Sequence, residues 1–353
     1  MSHVTTAPLL QALRGAAPER QPVWFMRQAG RSLPEYRAAR RGTAMLDACL
    51  TPSLAAELTL QPVRRHSVDA AIFFSDIVVP LRLAGVGVEI RPGVGPVMDR
   101  PYDSAWAIAE LVSHRLDDDA LAPIREAVRL TVDGLAAFPG AALIGFAGAP
   151  FTLAAYLVEG RPSRDHLAAR RLMKSDPAAW NALLSWTAEL SGAFLRAQVE
   201  AGAAATQLFD SWVGSLCLAD YAEHVAPHSA RALAKVADLG APAIHFGTGT
   251  GHLLAAMRDV LDAAGVACGA VGVDWRTPLD EARRMVGGGV ALQGNIDPAL
   301  LGAPWAVLEA HVRDVVARGR SGSGGYVVNL GHGVPPETDP DVLTRVVELV
   351  HSL

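Results

Sequence analysis

Short apolar runs rich in strand-forming residues recur along the chain, at 23–27, 70–75, 142–146, 204–209, 242–246, 269–273, 290–293 and 326–329. Each is followed by a loop rich in Gly, Asp, Ser or Pro. A segment with helical spacing of its apolar positions usually comes next, clearest at 179–201, 253–264, 279–285 and 304–317. Eight strands alternating with helices predict an α/β fold, a closed parallel (β/α)8 TIM barrel. A doubly wound open sheet is the main rival, and eight units favour closure. No Pro/Ser-rich linker interrupts the pattern, so residues 1–353 read as a single domain. Two stretches depart from the repeat. Residues 80–99 alternate with Gly/Pro punctuation and predict a hairpin inserted after strand two. Residues 321–325, Ser-Gly-Ser-Gly-Gly, read as a plain turn entering strand eight.

In such a barrel the chemistry gathers where the strands end. Strand one ends in the densest cluster, Arg27-Gln28-Ala29-Gly30-Arg31. Two guanidinium forks match carboxylates bidentately, and a glycine between them allows close approach to the backbone. Strand two ends in Ser75-Asp76, directly after the apolar Ile72-Phe73-Phe74. Strand three runs into Thr152 and Tyr156, strand four into Phe209, Asp210 and Ser211, and strand eight into Gly331-His332-Gly333. Each has a plainer reading. Arg27 and Arg31 could be structural ion-pair partners, and Asp76 and Ser211 could be helix caps. Tyr156 could be amphipathic packing, and His332 a core histidine. The barrel topology weighs against these readings together, because it brings all six residues to one rim. Gly247-Thr-Gly-Thr-Gly251 reads as a tight turn, lacking the Lys-Ser/Thr ending of a phosphate loop. His245 is expected inside the barrel, and 117–119 on a solvated face.

Composition narrows the function. The chain has 353 residues, 50% of them hydrophobic, and a formal charge of −5. It can bury a large core, and its charge argues against nucleic acid as a partner. An anionic ligand would need a local cluster of positive charge. No apolar run is long enough for a transmembrane span, and residues 1–8 lack the basic-then-apolar pattern of a secretory signal. Three cysteines, Cys49, Cys217 and Cys268, are too scattered for a disulfide framework and show no zinc spacing. A cytoplasmic location is expected.

Trp24-Phe-Met-Arg-Gln-Ala-Gly-Arg-Ser-Leu-Pro-Glu-Tyr36 resembles the signature of the uroporphyrinogen decarboxylase family. Phe74-Ser-Asp-Ile77, Gly145-Phe-Ala-Gly-Ala-Pro-Phe-Thr-Leu153, Phe209-Asp-Ser-Trp-Val-Gly214, Leu292-Gln-Gly-Asn-Ile-Asp297 and Asn329-Leu-Gly-His-Gly333 follow in the family's order. The resemblance covers roughly residues 8–350. It implies a (β/α)8 barrel, a homodimer, and conversion of uroporphyrinogen III to coproporphyrinogen III without metal or organic cofactor. It also implies Asp76, Arg27, Arg31, Tyr156 and His332 as catalytic residues. Substrate contacts would come from Arg27 to Arg31 (Gln28, Ala29 and Gly30 included), Asp76, Tyr156, Phe209, Ser211 and His332. Asp210 and the 245–249 strand ending lie where members vary. Two other classes are compatible with a barrel of this kind. One is a corrinoid-linked methyltransferase, which would need His and Cys ligands for zinc. The other is a non-catalytic tetrapyrrole carrier, which need not keep Asp76.

Overall fold

The computed structural model describes residues 7–353. The first six residues, part of the stretch read for a secretory signal, lie outside it. Seven strands form one parallel sheet. They are β1 (Ala70–Ile72), β4 (Ala142–Gly148), β5 (Ala205–Asp210), β6 (Ala243–Gly247), β7 (Gly269–Gly272), β8 (Ala291–Ile296) and β9 (Tyr326–Leu330), neighbours in that order. Between β1 and β4 comes the inserted antiparallel hairpin, β2 (Val88–Arg91) with β3 (Gly95–Met98), where the sequence predicted one. A short helix, Val79–Leu83, precedes it. The parallel strands are buried on both faces, except for partly exposed Phe209 on β5. This suits their near-continuous apolar sequence, since helices cover the outer face and side chains fill the inner one.

The helices follow from their ends. Proline begins those at Pro52–His66, Pro150–Glu159, Pro177–Glu200 and Pro340–Ser352. There its missing N–H is no loss. Asp176 and Asp339 cap the last two, accepting from the amides of Ala179 and Asp341 at 3.0 Å each. Gly160 stops the Pro150–Glu159 helix in a left-handed conformation, with φ of 72°.

The first predicted strand, 23–27, fills the remaining place in the barrel without becoming a regular strand. Only Val23 forms a bridge, parallel to Val328. The Trp24 amide donates to the Val328 carbonyl (3.2 Å), and the Val328 amide to that of Pro22 (2.9 Å). On the other side the Asp69 amide donates to the Val23 carbonyl at 2.9 Å. Side chains satisfy the remaining amides. Asn329 Oδ1 accepts from Met26 N–H at 3.0 Å and Gln28 Oε1 from Phe25 N–H at 3.0 Å. Gln28 Nε2 then donates to the Ala70 carbonyl of β1 at 2.9 Å. Ring closure is thus shared between backbone and carboxamides, which the apolar pattern could not reveal.

Two further contacts lock the ring. Trp24 Nε1 donates to Gln293 Oε1 on β8 (3.1 Å), whose Nε2 donates to Gln207 Oε1 on β5 (2.9 Å), a buried polar chain across the barrel interior. Just before β1, the fully buried Asp69 accepts from Val23 N–H (2.8 Å), Arg20 Nε (2.8 Å) and His351 Nε2 (2.8 Å). One carboxylate thereby ties the closing segment to the C-terminal helix.

Candidate active site

Because every barrel strand runs the same way, the segments after them share one mouth. Arg27 leaves the closing segment with φ of 60°, a left-handed conformation that costs a non-glycine residue roughly 1 kcal/mol or more. Strain of this kind persists where the surroundings over-determine it. Gly30 closes the turn, since a Cβ there would lie 2.8 Å from the Arg27 carbonyl oxygen. Arg27 and Arg31 are both exposed. Among the described residues neither guanidinium has an ion-pair or hydrogen-bond partner, so the structural ion-pair reading does not hold. The Gln28 side chain is fully buried, with both ends of the amide spent on ring closure, so a ligand contact at Gln28 would run through its backbone. In this segment only the backbone at 28–30 and the two arginines remain for a ligand.

Asp76 follows β1 by four residues. Its Oδ1 accepts from Val78 N–H at 3.1 Å and its carbonyl from Val79 N–H at 3.1 Å, a turn that fixes the carboxylate without capping a helix. Its second oxygen has no protein donor among the described residues. Burial pushes the Asp76 carboxyl above the usual carboxylate range, opposed by the Val78 amide and by the charge of Arg27. Tyr156, on the Pro150–Glu159 helix after β4, is buried, and its phenol is pushed up first by burial and then by the Asp76 charge, against Arg27. Those couplings put Arg27, Asp76 and Tyr156 in one electrostatic neighbourhood.

Ser211 ends β5. Its carbonyl accepts from the Thr248 hydroxyl at 2.5 Å, while its own hydroxyl caps no helix. The loop 247–251 is spent on support: the Gly249 amide donates to Asp274 Oδ2 at 2.6 Å and Thr250 Oγ1 to the Gly247 carbonyl at 3.2 Å. Phe209 packs edge-on between Phe146 (5.4 Å between centroids) and Phe246 (6.0 Å). Trp212 packs at a tilt against Tyr156 (3.8 Å) and stacks on His166 (4.4 Å), closing the wall from β4 to β5. Beneath it Asp210 is fully buried, its Oδ1 accepting from Thr152 Oγ1 at 3.1 Å and its Oδ2 3.6 Å from His245 Nε2.

His332 follows β9 between glycines that the packing demands. A Cβ on Gly331 would lie 2.2 Å from the Trp275 amide nitrogen, and one on Gly333 would lie 2.4 Å from Arg27 Cδ. The backbone on either side of His332 is therefore pressed against Trp275 and the Arg27 stem, and the imidazole meets the Trp275 ring edge-on at 6.3 Å. Burial, then the charges of Arg27 and Arg276, lower its pKa to about 4 against a smaller pull from Asp274, so it is neutral at pH 7. Asp274, Trp275 and Arg276 were not singled out from the sequence. Their signal was the polar ending of the sixth strand at 269–273.

The fold and this rim define a (β/α)8-barrel protein whose mouth carries unpaired arginines around a single carboxylate. That arrangement suits a ligand bearing several acids and at least one hydrogen-bond donor. The sequence pattern described as uroporphyrinogen decarboxylase (URO-D) matches residues 5–353. A uroporphyrinogen decarboxylase of Arthrobacter sp. is 69% identical over 98% of this chain and 97% of its own length. One from Leifsonia xyli is 59% identical over 98% and 94%. The chain belongs to the uroporphyrinogen decarboxylase family. Among solved structures, a methyltransferase from Methanosarcina mazei superposes with a TM-score of 0.77 at 18% identity, covering 98% of this chain and 97% of that one, a likeness of fold. No helix among the described residues is long and apolar enough to cross a membrane.

Proposed function

We propose that this chain removes the four acetate carboxyls of uroporphyrinogen III to give coproporphyrinogen III, as its family membership indicates. The observation that carries the site assignment is the half-buried Asp76 carboxylate, one oxygen held by a turn and the other free, flanked by an unpaired Arg27. Uroporphyrinogen presents eight carboxylates around a ring of four pyrrole N–H groups. Arg27 and Arg31 take outer acids, and Asp76 accepts from the inward N–H groups. Tyr156 and Ser211 hydrogen-bond the reacting acetate, Phe209 forms the apolar wall, and neutral His332 meets a carboxylate.

The pyrrole serves as its own electron sink. A proton adds to the ring carbon bearing the acetate, giving an iminium-like cation. The bond to CO2 breaks, and its electron pair forms an exocyclic double bond that neutralises the cation. The exocyclic carbon then takes a proton to become methyl, and the ring carbon loses one to restore the pyrrole. Asp76 stabilises the cation, an effect commonly worth about 3–4 kcal/mol when preorganised. A guanidinium is a poor proton donor, so the part of Arg27 is to position the acetate beside the proton source.

The reading also takes 1–353 as one domain, acting as a homodimer in the cytoplasm, which the family resemblance supports. Anaerobic incubation with uroporphyrinogen, followed by chromatography, tests it. Sequential seven-, six-, five- and four-carboxyl products are expected. An unchanged octacarboxylate with stoichiometric binding would instead mark a carrier, and zinc-dependent methyl transfer would mark the corrinoid class.

A further inference from the structure

Arg276 follows β7 by four residues, as Asp76 follows β1. Around the ring the order is the closing segment, β1, β4, β5, β6, β7, β8, β9. Position six therefore stands across the mouth from position two. Asp76, Tyr156 and Ser211 occupy the arc from positions two to four. Arg27 and Arg31 stand at position one and His332 at position eight. A macrocycle seated over Asp76 spreads its acids in all directions, and those pointing away from this arc need cationic partners on the far side.

Arg276 is built for that purpose in a way a solvated arginine is not. Its guanidinium lies 3.8 Å over the Trp275 ring, and Nη1 donates to Asp274 Oδ2 at 2.6 Å. Asp274 is 1% exposed on its side chain, whereas Arg276 is 54% exposed, so the anchor is buried and the head is open. The other Asp274 oxygen accepts from the Arg276 amide at 3.0 Å. Beneath it Asn295, buried on β8, donates to the carbonyls of Asp274 (2.8 Å) and Thr277 (2.6 Å). This gives a task to the Leu292–Asp297 motif, which no catalytic role had absorbed. Stacking and one ion pair fix the fork at low entropic cost, while Nε and Nη2 have no partner among the described residues. The shared influence of Arg27 and Arg276 on His332 agrees with both cations facing the same mouth.

We propose that Arg276 is a substrate-binding residue that takes a carboxylate of the macrocycle on the side opposite the reacting acetate. The assignment rests on the reading of the mouth as a uroporphyrinogen site. It predicts an effect on binding with little effect on the chemical step, because the acid it holds is remote from the bond that breaks.

The test compares R276Q and R276K with wild type, and with R284Q as a control for loss of a surface charge. Arg284 is 72% exposed and pairs only loosely with Asp280, at 3.9 Å. KM and kcat are measured with uroporphyrinogen. The Kd of the oxidised octacarboxylate, uroporphyrin, is measured by fluorescence without turnover. R276Q is expected to raise both KM and Kd about tenfold, the scale of one partly exposed charge-assisted contact, with kcat within about twofold. R276K should fall between, and R284Q should match wild type. Unchanged KM and Kd in R276Q, or a loss confined to kcat, overturns the assignment while the activity stands. Wild-type protein that neither binds uroporphyrin nor consumes uroporphyrinogen overturns the parent reading, and the assignment with it.

Discussion

Replacing Asp76 by Asn removes a charge and almost nothing else. Asn keeps an acceptor at the Oδ1 position, so the bond from Val78 N–H at 3.1 Å and the turn it fixes survive. A ring cation about 4 Å above the carboxylate, at an effective dielectric near 20, interacts by roughly 4 kcal/mol. A loss of about 3–4 kcal/mol lowers kcat roughly 10²–10³-fold. Stability should move the other way or not at all. Burial raises the Asp76 carboxyl above its ordinary range, so the folded state disfavours its ionised form and the neutral amide relieves that cost. The same shift sets a pH signature. Wild-type activity falls on the acid side as Asp76 takes a proton, above the ordinary carboxylate pKa, and this limb is missing from D76N. Anaerobic turnover with product chromatography, a pH–rate profile and a thermal melt together read the three quantities. A kcat within about fivefold of wild type would refute the central carboxylate. So would a melting temperature lowered enough to explain the loss.

Asp69→Asn tests closure of the ring. It weakens a fully buried acceptor shared by Val23, Arg20 and His351, and should cost about 3 kcal/mol or more by chemical denaturation, while leaving KM near wild type. His66, buried against Thr344 and lowered to about 4 chiefly by desolvation, sets a pH window. The unfolded chain takes up this proton near pH 6.5 and the folded one only near 4. Stability should therefore fall as pH drops through that window, by about 3 kcal/mol. Denaturation midpoints for wild type and H66Q between pH 7 and 4 check this, and equal slopes would contradict it.

The sequence made most of the architecture legible, because a parallel barrel buries its strands on both faces and so writes them as apolar runs. The helices at 179–201 and 304–317 appear at Pro177–Glu200 and Trp305–Gly319, within the few residues by which capping shifts an end. Hydrophobicity could not show how position one is built, since Gln28, Asn329 and Asp69 do there what backbone pairing does elsewhere. The site was legible as a set of strand endings. Arg27, Asp76 and His332 stand out as polar groups after apolar runs, and the structure joins Arg27 to each by charge. The structural task of the Gln28 side chain was not legible, because a carboxamide beside two arginines looks like a ligand contact until its burial is seen. Arg276 was passed over for the opposite reason: an Arg two residues after an Asp looks like a surface ion pair, and only its stacking on Trp275 and its place opposite Asp76 distinguish it.

These observations bear on why the first motif is so dense. A regular strand at position one would satisfy its amides by laddering on both sides and would need only apolar residues. This segment must instead turn out of the barrel at Arg27, in a left-handed conformation, immediately after Met26. The ladder cannot continue through such a turn, so the Met26 and Phe25 amides are taken up by Asn329 and Gln28. Asn329 also begins the segment that carries His332, and Gly333 leaves room for the Arg27 stem. Within the motif Gln28 therefore bonds the ring shut, while Arg27 and Arg31 keep free guanidiniums. The two tasks are coupled, because the carboxamides that close the barrel also fix the direction in which Arg27 leaves it. Varying Gln28 or Asn329 should consequently disturb substrate affinity through Arg27 as well as stability.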